Sequence, residues 1–234
     1  MLFFSRRPKP VSKFSVLLIS TGLFILVWVS YPIISFNIFY ASKFETIIRP
    51  VPQDQKSTSI LIKDDNLINV LGTMKTDFTK ASAWFPKAVK NISFGQNKSN
   101  YYRLTIPRLK IENASVVIEG EDLTKNLIQF TGPPPGNYGN IVIFGHSSLP
   151  FIYNPRDYKT IFTKLPDLKI DDDILVTIDN ITYKYKVTDL KVTTPDDLSV
   201  LTQEYDNAYL TLITCVPPGT SYKRLIIKSK LSTA

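Results

Sequence analysis

The stretch Tyr209–Leu231, YLTLITCVPPGTSYKRLIIKSKL, reads as two strands around a stiff turn. YLTLITC and YKRLIIKSKL are short runs rich in Leu, Ile and Thr, and Pro217, Pro218 and Gly219 rigidify the connection between them. A hairpin of these strands returns Arg224, nine residues past Cys215, toward the thiol. Cys215 is also the single cysteine in 234 residues. One cysteine makes no intrachain disulfide, so the fold is held by its core. The thiol is then either a buried apolar residue or a group kept for its chemistry.

Moving outward, the pattern of short strands and turn signals extends back to Tyr101. YYRLTIPRLKI carries Pro107 between two extended runs, ASVVIEG ends at Gly120, and GNIVIFGH is a short apolar run suited to burial on both faces. EDLTKNLIQF is expected to form one or two helical turns. ILVTID and ITYKYKVTDL meet at a tight Asp179-Asn180 corner, and Tyr183, Tyr185 and Val187 alternate with Lys184, Lys186 and Thr188, as in a hairpin with one wet face. About eight short strands with few helices predict a mostly β chain closed into a single antiparallel or mixed barrel.

The N-terminal part differs. Residues 14–38, FSVLLISTGLFILVWVSYPIISFNI, hold no charged side chain over 25 positions, longer than a hydrocarbon core of roughly 30 Å requires at about 1.5 Å per residue. A cleaved signal peptide has an apolar core of only about 7–15 residues, and no small-x-small site follows here. Trp28, Tyr31 and Tyr40 suit an interfacial belt, and Arg6, Arg7, Lys9 and Lys13 precede the span with no acidic residue. The expectation is a cytoplasmic basic stub (1–13), a transmembrane helix (14–38), a stalk with a membrane-proximal helical segment (39–100) and an extracytoplasmic barrel (101–234). Within the third part, IIRPVPQDQKSTS reads as the stalk. Leu67, Val70, Leu71, Met74, Phe78, Ala81 and Phe85 follow at helical spacing up to Pro86. No second span is expected after the last strand.

The net charge of +8 shrinks outside the stub: the remaining 24 basic residues exceed the 20 acidic ones by four. No basic run interleaves with aromatics, so nucleic-acid binding is excluded. Asp171, Asp172 and Asp173 read as a solvated turn, and no metal or cofactor site is expected.

The one histidine, His146, and the one cysteine both close strand-like runs, where a scaffold presents side chains at its rim. From residues alone, each of His146, Cys215 and Arg224 has a structural reading beside the chemical one. The residues in sequence are, however, specific. TLITC resembles the Thr-Leu-x-Thr-Cys signature of sortases, the membrane-anchored cysteine transpeptidases of bacterial envelopes. KRLIIKSKL is similar to that family's Arg-Leu-hydrophobic last strand. PPPGNYGN with GNIVIFGH resembles the segment delivering the family histidine, and LTIPRLKIENASVVIEG its opening strands. Residues 161–201 match the stretch between, so the likeness covers Tyr101 to Leu231 in order. Phe144, and Ser147-Ser148-Leu149 in place of an arginine after the histidine, depart from many members.

The resemblance implies an eight-stranded sortase-type barrel with His146, Cys215 and Arg224 as the catalytic set and Thr214 as a substrate-positioning residue. It implies cleavage of a C-terminal Leu-Pro-x-Thr-Gly-like motif, typically at Thr-Gly, through a thioester acyl-enzyme. The partners implied are secreted proteins bearing that signal and an amine acceptor such as a peptidoglycan precursor or a pilin lysine. In that chemistry neighbouring cations raise the thiolate fraction of a thiol whose ordinary pKa is about 8.5. The arginine donates to the oxyanion, and the histidine carries the proton of the amine. A thiol hydrolase on the same fold and a non-catalytic membrane-tethered binding module are the alternatives.

Overall fold

A computed structural model describes residues 13–36, 38, 77–85, 88 and 100–232. The proposed stalk and most of the 67–85 helical pattern lie outside the described residues. Its described end, Ala81–Trp84, is a single 3-10 turn.

Helix α1, Lys13–Phe36, is long and apolar enough to cross a membrane. It exposes Leu17, Leu23, Phe24 and Trp28 by more than half of their surface. So large a run of exposed apolar side chains fits lipid rather than water.

Eight strands then close into a barrel: β1 Tyr101–Ile106, β2 Ile111–Ile118, β3 Leu127–Thr131, β4 Gly139–Phe144, β5 Asp173–Ile178, β6 Ile181–Thr193, β7 Ala208–Val216 and β8 Lys223–Leu231. Their order is β1-β2-β3-β4-β7-β8-β6-β5, and β5 pairs back onto β1. The barrel is mixed, with parallel pairs β2–β3 and β4–β7. The Asp179-Asn180 corner has φ of 49° and 65°, the left-handed pair that a two-residue hairpin needs.

EDLTKNLIQF departs from the helical expectation. The Asp122 carboxylate accepts from the Thr124 backbone N–H at 2.9 Å, and Leu127–Thr131 continues as β3 between β2 and β4. Local Asp and Thr bonding competes with a helix, and the two flanking strands offer ladder bonds instead.

Side chains alternate across the barrel wall. Leu104, Val116, Ile141, Ile143, Val176, Tyr185, Leu210, Leu212, Leu225 and Ile227 fill the interior. The opposite faces of β3, β4, β7 and β8 carry a second apolar layer containing Ile128, Phe130, Val142, Phe144, Ile213, Cys215 and Ile226. That outer layer explains why β4 is buried along its whole length. Each fully buried Leu, Ile or Phe is worth about 1.5–3 kcal/mol, so both layers stabilise the wall.

Candidate active site

The period of two along β7 and β8 puts Cys215 and Arg224 on the outer face with Ile213 and Ile226. They are direct partners in the antiparallel ladder. The hairpin thus sets sulfur and guanidinium side by side, as its sequence anticipated.

His146 arrives by a different route. β4 runs parallel to β7 with Phe144 opposite Ile213, and two further residues on each strand give His146 and Cys215. The pairing persists past the strand end: Gly145 N–H donates to the Ile213 carbonyl at 3.2 Å, and the Ser147 hydroxyl to the Cys215 carbonyl at 2.6 Å. Gly145 is required by space. A Cβ there would lie 2.4 Å from Phe162 Cδ2 and 2.6 Å from Leu127 Cδ2, so any side chain displaces the residue preceding His146.

Thr214 is fully buried, and its hydroxyl donates to the Gly145 carbonyl at 2.8 Å. That proton is committed to the backbone that carries His146, so Thr214 acts behind the site.

Arg224 is only 1% exposed. Nη1 donates to the Ser221 and Lys223 carbonyls at 3.0 and 3.2 Å, and Nη2 to the Trp84 carbonyl at 3.1 Å. Nε is buried with no partner. An unpaired buried guanidinium N–H is costly, and it leaves Nε a donor without an acceptor.

The Trp84 contact belongs to the membrane-proximal segment 39–100, of which the sequence leaves open whether it covers the site. The chain around residues 78–85 lies on the outer layer: Ala81 N–H donates to the Glu121 carbonyl, Leu123 N–H to the Thr79 carbonyl, and Trp84 Nε1 to the Phe78 carbonyl. The Trp84 ring stacks on Phe144 at 5.3 Å and tilts against His146 at 5.7 Å. The Arg224 guanidinium sits 5.4 Å from the Trp84 ring centre and 6.0 Å from those of Phe78 and Phe85, within cation–π range. The available signal was the apolar spacing Phe78, Ala81, Phe85 together with the oversized Phe144, read separately.

A polar clamp holds the far wall. Asn140 N–H donates to Gln203 Oε1 and Gln203 Nε2 returns to the Asn140 carbonyl, both at 2.9 Å. Asn140 Nδ2 reaches the Thr202 carbonyl at 3.2 Å, and Thr211 donates to its Oδ1 at 2.7 Å. These bonds fix the turn Leu198–Leu201, whose Val200 joins Cys215 and Phe144 in the outer layer.

Burial dominates the protonation states. It pushes the Cys215 thiol up, against the opposing pull of Arg224. It also pushes His146 down, against weaker upward pulls from Asp122 and Asp77. Arg224 thus pulls the thiol in the direction expected of a neighbouring cation, and burial outweighs that pull. Neither the imidazole nor the thiol has a hydrogen-bond partner among the described residues. Among the described residues no cluster fit to hold a metal ion occurs. Asp172 pairs with Arg108, and Asp173 with Lys184 and Lys186.

The sortase-domain family model matches residues 104–232. The chain belongs to the sortase family. It is 28% identical over 137 residues to sortase D of Bacillus subtilis (strain 168), an alignment covering 56% of this chain and 63% of that relative's length. Among solved structures, sortase C-1 from Actinomyces oris is 26% identical, with a TM-score of 0.51 over 59% of this chain and 77% of its own. A lid mutant of sortase A from Corynebacterium diphtheriae has the same identity and TM-score over 59% of this chain and 73% of its own. The part of this sortase that aligns is the barrel, and α1 adds a helix consistent with a single-pass membrane anchor.

Proposed function

We propose that this sortase is a cysteine transpeptidase. The observation that carries the reading is the cross-strand pair Cys215–Arg224, with His146 brought alongside by the parallel β4–β7 ladder. The sulfur bonds to the threonine carbonyl carbon of a Leu-Pro-x-Thr-Gly-like signal on a secreted protein, and the orphan Nε–H of Arg224 donates to the developing oxyanion. Collapse breaks the Thr-Gly C–N bond, and the imidazole passes the thiol's proton to the departing amine. An acceptor amine, from a peptidoglycan precursor or a pilin lysine, then attacks the thioester, loses its proton to the imidazole, and displaces the sulfur. One amide replaces another, so no cofactor enters the balance.

The basic stub before α1 favours a cytoplasmic N-terminus and a barrel outside the membrane. Residues 101–234 form the catalytic unit, and Thr214 positions the histidine strand. Productive binding requires the Trp84 carbonyl to leave Arg224, because the segment around 78–85 occupies the outer layer where a peptide would lie.

The test is full-length protein in a nonionic detergent with a fluorogenic Leu-Pro-x-Thr-Gly peptide and an amine. Amide product that disappears in Cys215→Ala supports the reading. Acid product alone, unaffected by added amine, points to a thiol hydrolase. A peptide bound but never cleaved points to a binding module.

A further inference from the structure

A cavity of about 610 Å³ opens on the same end of the barrel as Cys215 but on the opposite wall. It lies between the 3-10 turn Pro107–Leu109, which links β1 to β2, and the connection that crosses from His146 to β5. Four cationic side chains, Arg108, Lys110, Lys164 and Lys169, line it with the single carboxylate Asp167.

Arg108 is held in place, its Nε donating to the Asp167 carbonyl at 2.9 Å and pairing with Asp172 at 3.1 Å. Lys164 Nζ lies 4.6 Å over the Tyr153 ring, and the Tyr153 hydroxyl ties the connection to the Leu109 carbonyl at 2.9 Å. Lys110 adopts φ of 56°, a left-handed conformation unusual for a residue with a side chain. Lys110, Lys164 and Lys169 form no ion pair among the described residues. Three lysines without an ion pair, gathered with Arg108 around the one carboxylate Asp167, leave net positive charge on the cavity, which an anion offsets.

The surroundings indicate which anion. Immediately before Tyr153, Phe151 and Ile152 are 67% and 50% exposed, and the Phe151 ring packs 6.3 Å from Trp28 of α1. A rim that carries exposed apolar side chains beside the apolar helix, with unpaired lysines next to them, matches the acyl–headgroup boundary of a bilayer.

We propose that this cavity binds the phosphate of an anionic membrane lipid headgroup, anchoring the barrel rim to the bilayer independently of catalysis. The shared chemistry is a phosphate anion, and the lipid is its source.

The test is native mass spectrometry of the full chain in nonionic micelles supplied with equal amounts of phosphatidylglycerol and phosphatidylcholine, or with soluble glycerol phosphate. The expected result is one more retained phosphatidylglycerol on the wild type than on Lys110→Gln/Lys164→Gln/Lys169→Gln, with single variants weakening retention about fivefold each. Lys191→Gln/Lys228→Gln, at positions that pair only within β6, β7 and β8 and not with β1 or β2, retains lipid as the wild type does. The exposed lysines tolerate glutamine, and an unchanged melting transition verifies folding. Equal lipid retention by wild type and triple variant overturns the site. Glycerol phosphate bound as tightly as phosphatidylglycerol overturns the lipid assignment.

Discussion

Cys215 and Arg224 face each other across the β7–β8 ladder, the cysteine 6% exposed and the arginine 1% exposed. Arg224 spends Nη1 and Nη2 on carbonyls and keeps Nε unpaired. Replacing Arg224 by Ala removes the oxyanion donor and is expected to lower kcat by about 10²–10³-fold. Arg224→Lys keeps the charge but loses the planar fork, so it should recover little of that activity. Steady-state turnover of the fluorogenic peptide checks both, and near-wild-type kcat in Arg224→Lys would refute the role of Nε.

Titration follows from burial. The folded-state thiol holds its proton more tightly than an ordinary cysteine near pKa 8.5, so alkylation of Cys215 should rise with pH through a midpoint above that value. Because the folded pKa is raised, the thiol's contribution to stability is complete below the unfolded value and is lost as pH rises through the folded one. His146 behaves oppositely. Its pKa is lowered, so its contribution is present above the ordinary value of 6.5 and is lost as pH falls through the folded one. Iodoacetamide rates and melting temperatures across pH 5–10, with His146→Gln as control, report the two separately.

Trp84 stacks on Phe144, touches His146 and offers its carbonyl to Arg224. Trp84→Ala is expected to cost about 3–5 kcal/mol of the segment's docking. The consequence at the site is faster alkylation of Cys215, by about tenfold or more, since 1.4 kcal/mol of lost cover already gives that factor. Trp84→Phe, which keeps a stacking ring, should fall between. Alkylation unchanged in Trp84→Ala would mean that the segment does not limit access to the thiol.

Asn140 and Gln203 pin the Leu198–Leu201 turn to β4 through reciprocal amide bonds. Gln203→Ala leaves buried backbone groups of Asn140 unpaired and is expected to destabilise by about 1–3 kcal/mol. Hydrogen exchange should accelerate at residues 198–203. If the turn is a wall of the peptide groove, KM rises while kcat holds, and a fall in kcat alone would argue against that wall.

How much was legible in the sequence depends on the range of the contact. Period-two alternation marked the strands, and the Pro-Pro-Gly turn fixed the hairpin that pairs Cys215 with Arg224. The uncharged run at 14–38 announced α1 by length and composition alone. EDLTKNLIQF misled because its residues suit a helical turn locally, whereas neighbouring strands supply the hydrogen bonds that decide it.

Only the tertiary structure decided the rest. His146 is set level with Cys215 by a parallel pairing of strands whose contacting residues, Gly145 and Thr214, lie 69 positions apart. No local pattern encodes a parallel register over such a distance, because it depends on how the whole barrel closes. The same holds for the protonation states: residue identity supplied a thiol beside a cation, but the sign of its shift was set by the water excluded when Trp84 and its neighbours cover the outer layer.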